Sequence, residues 1–330
     1  MKKYFTLFVV CSILLSLSGV TAVKTQLLSL DQKITEQKNF LQKFDVQNRS
    51  YQARLTTGGA HDVAVGKDGT YWIIGPKIGG TGGFEIFRWD KTNENWEQIA
   101  GSGVRITVDS DGKAWIVNKL GHILQYTGDE GDWLQITGTG SDIGAGADGS
   151  VWHVGVDGSL HKLNDDKTTW KDIDGQAMRI AVDPTGNPWI VNDQKEIYRY
   201  TGSGWERMPG EAVDIGIGSD GTVVISGGEK TDTGYQTLKW DADAKQWTVI
   251  AGLSSINVSV NPDGEAFVAD GELNIRKEGE ETTTQTSTES TQETTEETTG
   301  ETTGETTGQT SRTTTTTTTT TTRTAAASTA

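Results

Sequence analysis

The sequence has little cysteine and little positive charge, and both shortages exclude classes of function. Its single cysteine, Cys11, lies within the first twenty residues, where the segment is expected to be removed. The mature chain would then have no disulfide, no cysteine zinc site and no catalytic thiol. A formal net charge of −16 argues against binding to a nucleic-acid backbone, which requires a basic face. Glycine and tryptophan are abundant instead, with 41 and 11 residues.

The N-terminal stretch is typical of a secretory signal peptide. Lys2 and Lys3 precede an apolar run over residues 5–17, which is too short for a comfortable membrane span. The residues Val20-Thr21-Ala22 suit signal peptidase, so we predict cleavage after Ala22, with an uncleaved anchor as the alternative. The sequence therefore predicts a protein that is secreted or held at the cell surface, with no integral membrane span after residues 1–22 are removed.

Two segments of different composition flank the central part of the chain. Residues 23–50 contain apolar side chains near helical spacing, which predicts a short amphipathic helix followed by a linker. These apolar positions are Leu27, Leu30, Ile34, Leu41 and Phe44. Residues 279–330 are rich in Thr and Glu and lack large apolar side chains, which predicts a disordered tail. Such threonine tracts favour O-glycosylation in a secreted protein, and an unmodified tail is the alternative.

Residues 51–278 contain six repeats, each anchored on a turn glycine that is followed three positions later by a large apolar residue. The glycines are Gly69, Gly112, Gly149, Gly186, Gly221 and Gly264, and the apolar residues are Trp72, Trp115, Trp152, Trp189, Val224 and Phe267. A period of roughly 40 residues with short β-patterned runs is typical of propeller blades. We therefore predict an all-β fold, a six-bladed β-propeller of four-stranded blades, in which the four tryptophans pack between neighbouring sheets.

The sixth repeat lacks a final strand, because the chain enters the Thr-rich tail soon after Ile275. Residues 51–58 precede the first repeat in the position that outer strands hold before the second and third repeats. We expect residues 51–58 to pair as the outer strand beside residues 273–276. This pairing would close the ring and remove a free strand edge.

Charged residues alternate at one position of the repeat, seven residues before each turn glycine. They are Asp62, Arg105, Asp142, Arg179 and Asp214, and Asn257 stands at the sixth position. The true repeat is therefore a pair of blades, present three times. Unlike charges on neighbouring blades attract one another, so we expect these five side chains to interact around a central channel.

The paired repeats resemble those of a known family. Residues 142–152, Asp-Ile-Gly-Ala-Gly-Ala-Asp-Gly-Ser-Val-Trp, and residues 179–192, Arg-Ile-Ala-Val-Asp-Pro-Thr-Gly-Asn-Pro-Trp-Ile-Val-Asn, resemble the two alternating repeats of the tectonin family. The resemblance implies a six-bladed propeller and a lectin that recognises glycans of bacterial or fungal surfaces or agglutinates cells. Val224 and Phe267 stand where the family pattern has tryptophan, so blades five and six are expected to bind less well. The predicted signal peptide argues against the intracellular adaptors of the family.

Motifs for catalysis are scarce. The four histidines form no His-x-x-x-His pair, and no Gly-x-Ser-x-Gly or phosphate-binding loop occurs. The turn Asp109-Ser-Asp-Gly112 matches half of a calcium loop but lacks the later carboxylates. We therefore expect no catalytic residue, metal or cofactor. A calcium-dependent lactonase- or lyase-like enzyme remains an alternative, because such propellers use repeats of the same Asp-x-x-Gly-x-x-Trp type.

The loops between the second and third strands of each blade are the predicted ligand-binding region. Sugar hydroxyls bind amide, imidazole and carboxylate groups, and these loops supply Asn118, His122, His153, Asp157, Asn192 and Gln194. Repeated weak sites gain affinity on a dense surface through multivalency. The sequence therefore predicts a secreted multivalent lectin for cell-surface or microbial polysaccharide, with ordinary surface loops and a structural cell-coat protein as the alternatives.

Overall fold

The computed structural model describes residues 54–80, 82–128 and 133–279, together with six positions between residues 33 and 43. These six positions are helical and exposed. The apolar residues on which the amphipathic helix depends lie outside the described residues, as do the signal peptide and the tail from residue 280. The helix, the cleavage site and the disordered tail therefore stay predictions.

The described chain forms 21 β-strands, arranged as six successive antiparallel units. Unit 1 comprises β1 (Asp62–Val65), β2 (Tyr71–Gly80), β3 (Gly83–Asp90) and β4 (Asn95–Gly103). Unit 2 comprises β5 (Arg105–Val108), β6 (Ala114–Val117), β7 (His122–Tyr126) and the first part of β8 (Trp133–Ala145). The long strand β8 continues into unit 3, which comprises its second part, β9 (Val151–Gly155), β10 (Ser159–Leu163) and β11 (Trp170–Gln176). Unit 4 comprises β12 (Arg179–Val182), β13 (Pro188–Val191), β14 (Glu196–Tyr200) and the first part of β15 (Trp205–Ile217). In the same way, unit 5 comprises the second part of β15, β16 (Val223–Thr231), β17 (Gly234–Asp241) and β18 (Gln246–Ser255). Unit 6 comprises β19 (Asn257–Val260), β20 (Ala266–Ala269) and β21 (Ile275–Lys277).

The first strands of the units surround a common centre. β1 contacts β5, β5 contacts β8, and the series continues through β12 and β15 to β19, which contacts β1. The chain is therefore all-β, with curled antiparallel sheets of the propeller type. The loops between second and third strands lie at one end of the sheets, where the first strands also begin.

The turn glycines make the first hairpin of each unit possible. Gly112 and Gly149 have φ angles of 78° and 89°, a region that strains other residues. Aspartates beside the glycines fix the same turns, since Asp148 accepts the backbone N–H of Ser150 at 3.0 Å. The Asp-Gly pairs in the sequence thus correspond to hairpin turns.

The residue three positions after each turn glycine is buried between the sheets. Trp72, Trp115, Trp152 and Trp189 are at most 3% exposed, and Val224 and Phe267 are fully buried at the same position of units 5 and 6. Large apolar side chains at a repeated position fill the space between neighbouring sheets, so each unit completes the core of the next.

A second set of tryptophans links the outer strands of neighbouring units, which the sequence analysis did not anticipate. The Nε1 atoms of Trp133, Trp170, Trp205 and Trp247 donate to the carbonyls of Ala100, Thr137, Asp174 and Pro209, at 2.6–2.7 Å. A glycine with positive φ follows each of these carbonyls. The repeated Gly and Trp positions of the outer strands therefore form one hydrogen bond at each of the four junctions from unit 1 to unit 5.

The prediction that residues 51–58 form the outer strand of the sixth unit is wrong. Residues 54–57 form a helical turn, in which the hydroxyl of Thr57 donates to the carbonyl of Arg54 at 2.6 Å; residues 51–53 lie outside the described residues. Local bonds of this kind compete with strand pairing. A single bridge joins Gly59 to Asn274, while Leu55 is buried in the cluster that contains Phe267. In the described chain, unit 6 is thus joined to the start of unit 1 by apolar packing, by the N–H of Ala60 donating to the carbonyl of Leu273 at 2.9 Å and by the N–H of Val65 donating to the hydroxyl of Ser259 at 3.0 Å.

The altered closure leaves one outer tryptophan without its hydrogen bond. Trp96 of unit 1 occupies the position of Trp133 in unit 2, but its Nε1 atom is buried with no partner in the described part of the chain. The partner expected by analogy is the carbonyl before Gly58, which now belongs to the helical turn. The junction between units 6 and 1 is therefore chemically different from the others.

Candidate functional site

The five alternating charges meet around the central channel. The guanidinium of Arg105 lies 3.9 Å from Asp62 and 3.7 Å from Asp142, and that of Arg179 lies 3.4 Å from Asp214. Each of the five side chains therefore has an opposite charge within 4 Å.

The aspartates also bind the backbone of the next unit. Asp62, Asp142 and Asp214 accept the N–H groups of Ile106, Ile180 and Val258, respectively, at 2.8–2.9 Å. Asn257 completes the set, because its amide can be oriented to donate to the carbonyl of His61 and accept from Arg105. The sequence prediction included the ion pairs but not these bonds to the backbone. The aspartate that recurs in every second unit was the feature of the sequence that could have indicated them.

Burial dominates the electrostatics of this group. It raises the pKa of Asp62 to about 6 and the pKa of Asp214 to about 7, against the opposing effect of the arginines. Burial also raises the pKa of Asp142. Three carboxylates share two guanidinium groups, so one carboxylate lacks a cation of its own. The channel has a volume of about 70 Å³, which is too small for a sugar, and the charged group is structural.

Two of the expected ligand-binding residues build turns instead. The side-chain oxygen of Asn118 accepts the N–H groups of Leu120 and His122, at 2.9 and 3.0 Å. Asn192 does the same for Gln194 and Glu196, at 3.0 and 2.8 Å. Both asparagines are half-buried. The expectation that these side chains are exposed is therefore wrong, and their oxygen atoms hold the turns; their part in ligand binding stays a prediction.

The other expected residues lie in different surroundings. His122 is half-buried at the start of β7, whereas Asp157 and Gln194 are exposed in their loops and His153 is buried. The structure brings Asp157 and Gln194 to one cavity, and Asp157 and His153 to another. Asp157 is common to both.

The first cavity lies between units 3 and 4 and is called the 3/4 cavity here. Its volume is about 550 Å³. Its lining includes Ser141, Asp157, Gln176, Met178, Arg179 and Gln194. Met178 is half exposed, so the cavity combines an apolar surface with hydrogen-bonding groups.

The second cavity lies between units 2 and 3 and is called the 2/3 cavity. Its volume is about 520 Å³. Its lining includes Thr139, His153, Asp157, Ser159, His161 and Trp170. The loop over residues 156–159 separates the two cavities and contributes to both, so this loop is the centre of the candidate site. The sequence had singled out Asp157 and His153 but not Ser159, His161 or Trp170.

Polar side chains in the 2/3 cavity form a connected row. Ser159 Oγ lies 2.8 Å from Nε2 of His161, and Nδ1 of His161 lies 2.9 Å from Asp172. The hydroxyl of Ser159 donates to the carboxylate of Asp157. The cavity therefore presents a hydroxyl, an imidazole and two carboxylates, groups that can donate to or accept from the hydroxyls of a ligand.

In residues 54–80, 82–128 and 133–279, no three His, Cys, Asp or Glu side chains are placed to hold a metal ion together. Within the same described chain, no helix has the length and apolar character needed to cross a membrane.

Comparisons with known proteins identify the fold and the family. A structural-genomics protein of unknown function from Bacteroides thetaiotaomicron VPI-5482 is similar, with a TM-score of 0.51 and 12% identity over 67% of this chain and 70% of that one. A structure described as YCF48 bound to D1 peptide has a TM-score of 0.41 and 16% identity, over 68% of this chain and 82% of that one. No curated protein matches. The model of the tectonin domain matches residues 83–271, more than half of the sequence, and the chain therefore belongs to the tectonin family.

Proposed function

We propose that this protein is a secreted, non-catalytic lectin, a six-bladed β-propeller that binds polysaccharide at several positions of one face. The six strand units described above support the blade count, and the sequence of residues 1–22 supports secretion. Membership of the tectonin family supports sugar binding as the class of function.

The observation that carries the proposal is the pair of cavities on either side of the loop over residues 156–159. Volumes of about 550 and 520 Å³ fall within the range of ligand pockets. Both cavities are open to solvent beside the exposed side chains of Asp157 and Val156. Neighbouring sites on one face suit a polymer whose successive sugar rings lie side by side.

The lining groups suit sugars chemically. A pyranose ring has an apolar face of C–H groups and a rim of hydroxyl groups. The 2/3 cavity offers the ring of Trp170 with the polar side chains of Ser159 and Asp157, and the 3/4 cavity offers Met178 with Gln194 and the same Asp157. Modest affinity at each site, multiplied by about 10²–10⁴ on a dense surface, would give useful binding.

The test is binding to an array of immobilised glycans and to bacterial and fungal cell-wall polysaccharide. The variant Asp157→Asn keeps the shape of the loop but removes the charge shared by both cavities, and it should weaken binding at least tenfold. Asp165→Asn, an exposed carboxylate in the turn between β10 and β11, is the matched control and should bind like the natural protein.

Absence of binding to every glycan by the natural protein would contradict the lectin proposal. A structural cell-coat protein, in which the propeller and the Thr-rich tail act as spacers, would then be favoured. Equal binding by Asp157→Asn and the natural protein would instead place the sites elsewhere on the propeller.

A further inference from the structure

The six units provide an internal comparison at the fourth position after each turn glycine. This position is buried in every unit, in the middle of the second strand. Its residues are Ile73, Ile116, His153, Ile190, Ile225 and Val268. Five units place an aliphatic side chain there, and unit 3 alone places a histidine.

The cross-strand partners of these residues are more varied, but only unit 3 pairs two imidazoles. Their partners on the third strands are Phe87, Leu124, His161, Tyr198, Leu238 and Arg276, in unit order. In unit 3 the two imidazole rings stack at 4.4 Å, with an interplanar angle of 16°. The edge of Trp170 closes the pair at 4.3 Å from His153. Unit 3 therefore has a pair of imidazoles where every other unit has an aliphatic side chain on the second strand.

A buried histidine is less favourable for the stability of the core than the aliphatic side chain of the other units. His153 is 2% exposed, and its Nδ1 atom has no hydrogen-bond partner among the described residues. Burial lowers the pKa of His153 to about 4, so the ring is neutral at physiological pH. A buried polar atom without a partner costs free energy that an isoleucine at this position would not. Packing therefore does not explain the histidine, since an aliphatic side chain fills this position in the other five units.

The surroundings of the histidine pair indicate what it could bind. His153 and His161 both line the 2/3 cavity, next to Ser159 and Trp170. No lysine or arginine belongs to the described lining, whereas Arg179 lines the neighbouring 3/4 cavity. The carboxylates of Asp157 and Asp172 stand beside the imidazoles and would repel an anionic ligand. The cavity is thus suited to an uncharged ligand that is rich in hydroxyl groups.

We propose that the 2/3 cavity is a dedicated subsite for one neutral pyranose ring, with the imidazoles of His153 and His161 as its specificity-determining groups. Asp157 and Ser159 bind hydroxyl groups at the mouth of the cavity, and the ring of Trp170 packs against the C–H face of the sugar. This inference rests on the proposed lectin function and restricts it, because the six units are then not equivalent in binding. Unit 3 provides a subsite that no other unit repeats.

The sequence of the other units supplies the variant that tests this subsite. His153→Ile and His161→Leu together give unit 3 the cross-strand pair that unit 2 has. We expect this double variant to keep or raise the melting temperature, because an unpartnered polar atom is removed. Ile116→Val, at the equivalent position of unit 2, is the matched control for small changes in the core.

Binding is measured by the imidazole C–H resonances in NMR spectra of the full mature chain, assigned by single substitution of each histidine. The probes are the methyl glycosides of glucose, galactose, mannose and N-acetylglucosamine, at up to about 50 mM, which covers millimolar dissociation constants. At least one glycoside should shift the resonances of His153 and His161 and leave those of His61 and His122 unchanged. For the double variant, which lacks both reporter rings, binding of the same glycoside is measured by calorimetric titration alongside the natural protein and Ile116→Val; the double variant should bind at least tenfold more weakly, and Ile116→Val should bind like the natural protein.

Three results would overturn the subsite. The glycosides could leave both resonances unchanged, glucuronate or inorganic phosphate could shift them more strongly than any neutral glycoside, or the double variant could melt at a lower temperature than the natural protein. The failure of the lectin function itself looks different, since no polysaccharide would then bind to the natural protein. Undiminished polysaccharide binding by the double variant would refute the subsite while the lectin function stands.

Discussion

The junctions between units are of two kinds, and the two kinds alternate around the ring. From an odd to an even unit, an aspartate accepts a backbone N–H group, as Asp142 does from Ile180 at 2.9 Å. From unit 2 to unit 3 and from unit 4 to unit 5, an arginine faces an aspartate through side chains, as Arg179 faces Asp214 at 3.4 Å, whereas from unit 6 to unit 1 the amide of Asn257 can donate to the carbonyl of His61. The first kind fixes the backbone of two units together, and the second kind balances charge. The repeat of the sequence therefore spans two units, because the two kinds of junction require different residues.

Glycines show the same alternation at the turn that follows each first strand. In odd units this position is Gly66, Gly146 or Gly218, and an added Cβ would lie 2.8–2.9 Å from a valine of the next unit. Even units have Asp109, Asp183 and Asn261 there, and Asp109 accepts the Nε1 proton of Trp115 at 2.8 Å. Trp72 and Trp152 of odd units have buried Nε1 atoms without a partner in the described chain. In odd units the close approach of the next unit thus leaves no room for an aspartate at this position. The Nε1 atom of the tryptophan then lacks the acceptor that Asp109 provides in unit 2.

The largest expected effect is the loss of a shared aspartate. Asp142→Ala removes the acceptor of the Ile180 N–H group and a carboxylate that faces Arg105. Breaking such a buried pair should lower the free energy of unfolding by about 3–5 kcal/mol. Denaturant unfolding measures the change, and Asp142→Asn, which keeps an acceptor, should lose less. A loss below about 1 kcal/mol would show that the odd-to-even junction does not depend on this bond.

The pH dependence of stability should reveal the excess carboxylate. Folding raises the pKa of Asp62 to about 6 and of Asp214 to about 7, from 3.8, so the folded protein binds more protons between these values. This contribution to stability is complete below about pH 4 and is lost as the pH rises through 6 and 7. The free energy of unfolding should therefore be about 4 kcal/mol higher at pH 5 than at pH 8, because the two carboxyls together account for about three pKa units over this range. Asp214→Asn should flatten this difference, and an unchanged profile would contradict the assignment.

The close approach of odd and even units predicts a clash at Gly146. Gly146→Ala would place a Cβ 2.9 Å from both the side chain of Val182 and the carbonyl oxygen of Asp183. Overpacking of this kind should cost about 1–3 kcal/mol. Gly204→Ala is the control, because no atom lies within 4 Å of its added Cβ. Equal melting temperatures for the two variants would show that the junction can open without cost.

The smallest expected effect compares two outer tryptophans. Trp133→Phe removes the hydrogen bond to the carbonyl of Ala100 and should cost about 1 kcal/mol more than Trp96→Phe, whose Nε1 atom has no partner in the described chain. Thermal unfolding of the two variants measures the difference. An equal loss would indicate that Trp96 has a partner in solution, which would bring the closure of unit 6 nearer to that of the other units.

Several features of the fold were predictable because the repeat acts as its own alignment. The turn glycines, the buried Trp72 and the alternation of Asp62 with Arg105 recur at fixed offsets, and each offset has one physical cause. The helical turn at residues 54–57 was not predictable. This segment precedes the first repeat just as the outer strands precede the second and third repeats, which predicts a strand. The hydrogen bond from the hydroxyl of Thr57 to the carbonyl of Arg54 and the burial of Leu55 favour the helical turn instead.

The candidate site was only partly predictable for a related reason. Asn118 and Asn192 were chosen because amides bind sugars, but amides also hold turns, and the sequence does not tell which use applies. His161 and Trp170 were not identified, since they lie on the third and fourth strands of unit 3, β10 and β11, whereas the prediction considered the loops between second and third strands. The signal that could have found them was the exceptional histidine of unit 3, at a position where the other units are aliphatic.

By itself, the sequence determined the family, the all-β class and the offsets of the repeated residues, because periodic turns and apolar positions are local properties of the chain. Only the tertiary structure decided which side chains are free for a ligand. The 2/3 cavity is formed by two units whose contributions, Thr139 and Trp170, approach each other only when the sheets pack. Whether an asparagine binds a sugar or its own backbone is likewise settled by which hydrogen bonds remain after the turns have closed.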